Sequence, residues 1–152
     1  MPSIYSPFDF DEIPIYTSDE TKKTYITSMI DLAKDDKTSV NIYILLALGF
    51  LAYIFSQNVI TVFKANLFLK IIFFTGNIST IISAICFFWY WRKIHKCQIN
   101  LTGCILSLNV KKAQELWIEL WERNKALFKG GLVLICLGIG MICIGYLIKS
   151  VF

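Results

Sequence analysis

The chain has one histidine, His95, three prolines that all fall within its first 14 residues, and no acid or base in the middle of any of its three long apolar runs. Each scarcity excludes something. With a single imidazole, no glycine-rich phosphate loop, and Glu115, Glu119 and Glu122 strung along one charged helix face, no nucleophile and base pair can be nominated, and an enzyme is not expected. His95, Cys97 and Cys104 lack the paired spacing of a zinc site, so neither a metal nor a cofactor is expected. The five cysteines are an odd set without framework spacing, which argues against structural disulfides. Cys86, Cys136 and Cys143 sit inside apolar runs, where a thiol acts as a small packer. Proton relays, ion-coupled transport and charged selectivity rings need ionisable groups at membrane depth, so a pump or secondary transporter is disfavoured. Residues 1–37 are polar and acidic, with no apolar core near the start, so no cleavable leader is expected and the first apolar run serves as its own targeting signal.

What is present is a set of three long uncharged runs, Thr38 to Phe63, Ile71 to Trp91 and Gly130 to Ile148. Each is long enough to cross a bilayer as a helix. They hold most of the apolar residues of a 152-residue chain that is 56% hydrophobic, which leaves no separate soluble core of ordinary size. The expected fold is an all-α integral membrane protein with three transmembrane helices plus short cytoplasmic amphipathic helices. Its segments are an acidic arm and amphipathic helix (1–37), a two-helix transmembrane hairpin (38–91), a basic connection with an amphipathic helix (92–129), and a third transmembrane helix with a short outer tail (130–152).

Orientation follows from Lys and Arg, which are retained on the cytoplasmic side of short loops. Residues 1–37 and 92–129 carry twelve of the fifteen, and only Lys64, Lys70 and Lys149 fall on the other side. The N-terminus is therefore expected in the cytoplasm and the C-terminus outside, in a plasma membrane or bacterial inner membrane. Phe87, Phe88, Trp89, Tyr90 and Trp91 run into Arg92 and Lys93, an aromatic belt followed by cations that snorkel to headgroups.

The two cytoplasmic stretches differ in charge. Residues 1–37 hold eight acids and four bases, whereas Arg92 to Lys129 is net positive by five. They read as two solvated surfaces, or as an acidic arm that docks on the basic connection of the same or a neighbouring chain. Residues 1–16, with Pro2, Pro7 and Pro14 among aromatic and acidic residues, read as an extended arm. Thr17 to Glu20 has capping-box spacing, and Tyr25, Ile26, Met29, Ile30 and Ala33 follow on one helical face. Ile99, Leu101 and Ile105 around Gly103 give a weak strand or turn signal over 97–108. Beyond Asn109, a candidate N-cap, Leu116, Trp117, Leu120 and Trp121 form the apolar face of an amphipathic helix that must bury itself on the membrane, in a partner or against another copy. That helix meets Gly130 and Gly131, where it either continues into the third run or bends.

Two patterns mark the runs themselves. Gly131, Gly138 and Gly145 recur every seven residues, the left-handed supercoil period, and predict a helix-packing or oligomer seam. Thr75, Gly76, Asn77, Ser79, Thr80 and Ser83 give the second run a small and polar face that packs against other spans or lines a water-filled conduit. The expected partners are the lipid bilayer, other copies of the chain and a protein at the cytoplasmic face; no nucleic-acid motif accompanies the basic residues. Two functions fit this pattern, the first preferred and the second its alternative, because small spans with self-complementary marks need some way to cover their polar faces. One is a small multi-pass protein that self-associates as a channel or membrane-perturbing effector controlled by its cytoplasmic segments. The other is a non-conducting accessory, immunity or scaffold subunit of a membrane complex.

Overall fold

The computed structural model describes residues 18–56 and 67–151, with side chains placed over 18–53 and 67–148. Among them the fold is all-helical, with three helices and no strand: α1 (Asp19–Ser56), α2 (Leu67–Ser107) and α3 (Val110–Val151). The acidic arm 1–16, Thr17, Lys64 and the outer end of the first apolar run, 57–63, lie outside the described residues.

Local chemistry explains where the helices start and stop. Ser18 caps α1: its Oγ accepts from the Thr21 amide at 3.2 Å, and Asp19 and Glu20 oppose the positive end of the helix dipole. This cap lies one residue later than the expected Thr17, with Thr21 in place of an acid at the third helical position. Helix α2 runs through 97–107, the stretch that carries a weak strand or turn signal in sequence. Cys97, Leu101 and Cys104 are buried at four- and three-residue spacing, so helical packing overrides the strand preference of β-branched Ile99 and Ile105 in this stretch. The turn follows at Leu108, whose φ of 51° lies in the left-handed region. The Asn109 amide reaches back to the Cys104 carbonyl (3.1 Å) and the Leu108 amide to that of Ile105 (3.3 Å), a Schellman ending with leucine where glycine is usual. Asn109 then caps α3 as expected, accepting from the Lys112 amide at 3.0 Å. Helix α3 continues through Gly130 and Gly131 without a break.

Helices α2 and α3 are long and apolar enough to cross a membrane. Among the described residues α1 is long enough but not apolar enough by the same standard, because its first half, up to Lys37, is charged.

The chain divides into two compact units. The first contains residues 18–39 of the described chain together with 92–123; the second contains 40–91 and 124 onward. In the charged first unit, Ile26, Met29, Ala33, Ile94, Cys97, Leu101, Cys104, Ala113, Trp117 and Leu120 form the core, drawn from all three helices. In the apolar second unit the buried side chains include Val40, Ala47, Phe73, Phe87, Tyr90, Ile135 and Ile142, while many large apolar residues face outward, among them Leu45, Phe68, Phe74, Ile85 and Leu147. That inversion is what a lipid solvent permits.

Candidate functional site

The apolar unit is organised around a polar seam between α2 and α3. Ser79 Oγ donates to the Leu134 carbonyl at 2.9 Å, and Ser83 Oγ donates to the Gly131 carbonyl at 2.7 Å. Thr80, fully buried, returns its hydroxyl to the Gly76 carbonyl of its own helix at 2.9 Å. The glycines set the distance at which these bonds form. A Cβ added at Gly138 would meet the Thr80 hydroxyl and lie 2.9 Å from the Gly76 carbonyl oxygen; one added at Gly76 would lie 3.1 Å from the Gly138 carbonyl oxygen. The two helices therefore touch backbone to backbone there, which only small residues allow. On either side the glycines receive rings: Phe87 lies against Gly131 and Phe73 against Gly145. Tyr43, Phe87, Tyr90 and Phe128 gather into one aromatic cluster from all three helices, with Tyr43 and Phe87 stacked at 5.4 Å between centroids.

Thus Gly131, Gly138 and Gly145 all face α2 of the same chain: Gly138 meets Gly76 and Thr80, Gly131 meets Phe87 and accepts from Ser83, and Gly145 meets Phe73 and Ile72. Thr75 and Asn77 stand apart from this group. Thr75 is exposed and bonds back to the Ile71 carbonyl. Asn77 is half-buried; its amide nitrogen donates to the Phe73 carbonyl, while its oxygen is covered and has no hydrogen-bond partner among the described residues.

In the charged unit, the tryptophan face of α3 closes the three-helix core. Trp117 and Leu120 are buried, and Leu116 and Trp121 are half-buried. The two indoles lie 6.2 Å apart, and both Nε1 atoms are covered without a hydrogen-bond partner among the described residues. Polar contacts join each pair of helices around them: Gln114 to the Tyr25 hydroxyl (3.3 Å), Lys37 to His95 (3.3 Å), and the Cys97 thiol to the Leu116 carbonyl (3.7 Å). Burial, then the neighbouring Cys104 and Glu119, push the Cys97 thiol up to about 11, and burial raises Cys104 against the opposing Lys112. Both remain thiols at neutral pH, which suits packing and not nucleophilic attack.

Two features of this unit are not legible in any one segment of the sequence. Asp36 falls seven residues after the buried Met29, on the inward stripe of α1, and one of its carboxylate oxygens is covered with no hydrogen-bond partner among the described residues. Burial, then the adjacent Asp35, push its carboxyl up from 3.8 to about 6. The available signal is an acid in the seven-residue register of Ile26, Met29 and Ala33, but the neighbouring Asp35 and Lys37 make the stretch read as a solvated boundary. The second feature is on α2, where Arg92, Lys96, Ile99, Gly103 and Leu106 recur at helical spacing and are all exposed. Leu106 is 86% and Ile99 60% exposed, an unusual state for aliphatic side chains in a charged unit. Opposite in character, Glu115, Glu119 and Glu122 flank Ile118 in a shallow groove along α3, with Arg123 paired to Glu119 at 3.3 Å.

Among the described residues no group of three or more His, Cys, Asp or Glu side chains is arranged to hold a metal ion. No protein-family model, curated protein or solved structure matches the chain.

Proposed function

We propose that the protein is a non-conducting accessory or scaffold subunit of a membrane complex, anchored by three spans and presenting its charged helical unit to the cytoplasm. The observation that carries this reading is the α2–α3 seam: Ser79 and Ser83 hand their hydroxyls to α3 carbonyls of the same chain, at positions where the glycine stripe lets the helices touch. With Ser79, Thr80 and Ser83 buried and their hydroxyl hydrogens committed, these three side chains are not available to line a conduit. The third span is the first apolar run, Thr38 to Phe63, and its placement with the N-terminus inside rests on the location of twelve of the fifteen Lys and Arg residues in 1–37 and 92–129. The tryptophan face is turned into the unit's own core, so a partner is met by the charged outer faces of α2 and α3.

The test is ion flux through vesicles containing the purified chain, together with reaction of Ser79→Cys and Ser83→Cys with a hydrophilic thiol reagent. No flux above empty vesicles and no labelling are expected. Flux that is blocked by labelling at either position would overturn the reading.

A second reading, a self-associating channel or membrane-perturbing effector, draws on Asn77. Its amide oxygen lacks a hydrogen-bond partner among the described residues on a helix apolar enough to span a membrane, and a shift of this half-buried side chain toward a donor of another copy is one way to satisfy it. The protein mass of the particle in mild detergent separates the two: a defined oligomer that dissociates on Asn77→Leu substitution favours the second.

A further inference from the structure

The charged unit turns two faces of opposite sign away from its core. On α2, Arg92, Lys96, Ile99 and Gly103 are exposed at helical spacing, and the helix contains no acid from Arg92 to Ser107. On α3, Glu115, Glu119 and Glu122 flank Ile118, and every acid of the chain after Asp36 is one of these three. The sides of α2 and α3 that meet inside the unit carry Ile94, Cys97 and Leu101 and Ala113, Trp117 and Leu120, so the two outer faces do not reach each other within one chain. Among the described residues neither Arg92 nor Lys96 forms a salt bridge, and the bridge on α3 joins two of its own residues, Arg123 and Glu119.

We propose that the α2 face of one copy docks on the α3 face of a second copy, with Arg92 against Glu122, Lys96 against Glu119 and Ile99 against Ile118. The contact rests on the reading above, in which a partner meets these outer faces, and names that partner as the chain itself. Because the two halves of the contact are different surfaces, each copy offers one half to each of two neighbours, and the arrangement repeats around a ring or along a row.

Height in the membrane supports the match. Copies anchored the same way up through α2 and α3 stand level with one another, so α2 of one copy meets those residues of its neighbour's α3 that share its level. The Cys97 thiol reaches the Leu116 carbonyl at 3.7 Å, and the two helices run in opposite directions, which puts these two residues at one level. Counting away from that contact, Arg92 is level with Trp121, Lys96 with Trp117 and Ile99 with Gln114. Glu122, Glu119 and Ile118 lie one, two and four residues further along α3, offsets of about 1.5, about 3 and about 6 Å at 1.5 Å per residue. Helical side chains lean toward their own N-terminus, so those of α2 and α3 lean toward each other across these offsets and close them. Lys111, the cation at the other end of the acidic face, is level with Thr102, where the α2 face carries no charge. Arg123, alike in charge to Arg92, is tied to Glu119, and a carboxylate accepts from more than one cation. Opposite charges thus meet at matched heights, with an isoleucine pair beside them.

The test is the protein mass of the particle in an uncharged mild detergent at low salt, for the full chain and for two variants of it. One variant carries Arg92→Glu and Lys96→Glu, the other Glu119→Lys and Glu122→Lys. The parent should be an oligomer that shifts toward monomer in about 1 M salt, where charges are screened beyond roughly 3 Å. Each variant alone should be a monomer, since both of its faces then carry the same sign, and an equimolar mixture of the two should recover the parent's mass. A single chain with all four substitutions should also associate as the parent does, which keeps the test decisive where one variant alone fails to fold. The oligomer should persist in Asn77→Leu. A monomeric parent overturns the proposal, as does a charge variant that keeps the parent's mass by itself or a four-substitution chain that stays monomeric. Loss of the oligomer in Asn77→Leu assigns the contact to the spans, and association seen only in anionic vesicles assigns the cations to lipid headgroups; either result overturns it too. A monomer leaves the ion-flux result, and with it the non-conducting reading, standing, whereas flux overturns that reading without changing the mass.

Discussion

Replacing Asp36 with asparagine should stabilise the protein at neutral pH. The carboxyl sits on the inward stripe of α1 among Ile26, Met29 and Ala33, and its covered oxygen has no hydrogen-bond partner among the described residues. Its pKa rises from 3.8 to about 6 because burial and then Asp35 disfavour the charge. A raised carboxyl pKa means that the folded state holds the proton more tightly than the unfolded state, so stability is highest below pH 3.8 and is lost as the pH climbs through about 6. That difference corresponds to at most about 3 kcal/mol at pH 7. Because the residue is only half-buried, solvent screening reduces this to about 1–2 kcal/mol. An asparagine side chain carries no charge at any pH, so the variant should melt roughly 3–8 °C above the parent at about pH 7.5 in mild detergent. The gap should narrow as the pH falls below about 6 and close below 3.8, where the parent carboxyl is protonated in both states. A variant that melts lower at neutral pH, or a gain of equal size at neutral pH and below pH 3.8, would refute the reasoning.

Other perturbations test the packing. Gly138→Ala should cost about 1–3 kcal/mol in detergent unfolding, since the new methyl meets the Thr80 hydroxyl and the Gly76 carbonyl, whereas Gly140→Ala, which meets nothing within 4 Å, should be neutral or stabilising by up to about 1 kcal/mol. Ser83→Ala removes the 2.7 Å bond to the Gly131 carbonyl and should cost about 0.6 kcal/mol, the usual size for an interhelical bond in a membrane; no loss at all would mean that the seam is held by close packing alone. Leu108→Gly relieves a left-handed leucine and should raise stability by about 1 kcal/mol, read as a higher melting temperature. Trp117→Ala empties the core of the charged unit and should cost about 3–5 kcal/mol, detectable as proteolysis within 92–123 under conditions where the parent is resistant.

Much of this fold is legible in one dimension. The apolar runs and the N-cap at Asn109 all follow from residues close together in sequence, and so does the inward face at Leu116, Trp117, Leu120 and Trp121. The joins between helices are less legible. The stretch 97–108 reads weakly as strand because Ile99, Leu101 and Ile105 alternate, yet Cys97, Leu101 and Cys104 find a core only as a helix. Gly130 and Gly131 read equally as a break or a passage, and the ring of Phe87 against Gly131 favours passage. Asp36 is hidden for a related reason: an acid between Asp35 and Lys37 looks solvated until the other two helices of its unit are in place.

What the sequence by itself determined is the helical character of the chain and the presence of helices apolar enough for a bilayer, because hydrophobicity and capping act over a few residues. What only the tertiary structure decided is which surfaces meet. The same glycine stripe and serine ridge could join two copies or two helices of one chain, and the composition is identical in either case. The outcome depends on register between segments 55 and 48 residues apart, which puts Ser79 on Leu134 and Ser83 on Gly131. A hydroxyl in an apolar medium must find an acceptor, and the nearest acceptors here are carbonyls exposed by the absence of side chains at the glycines.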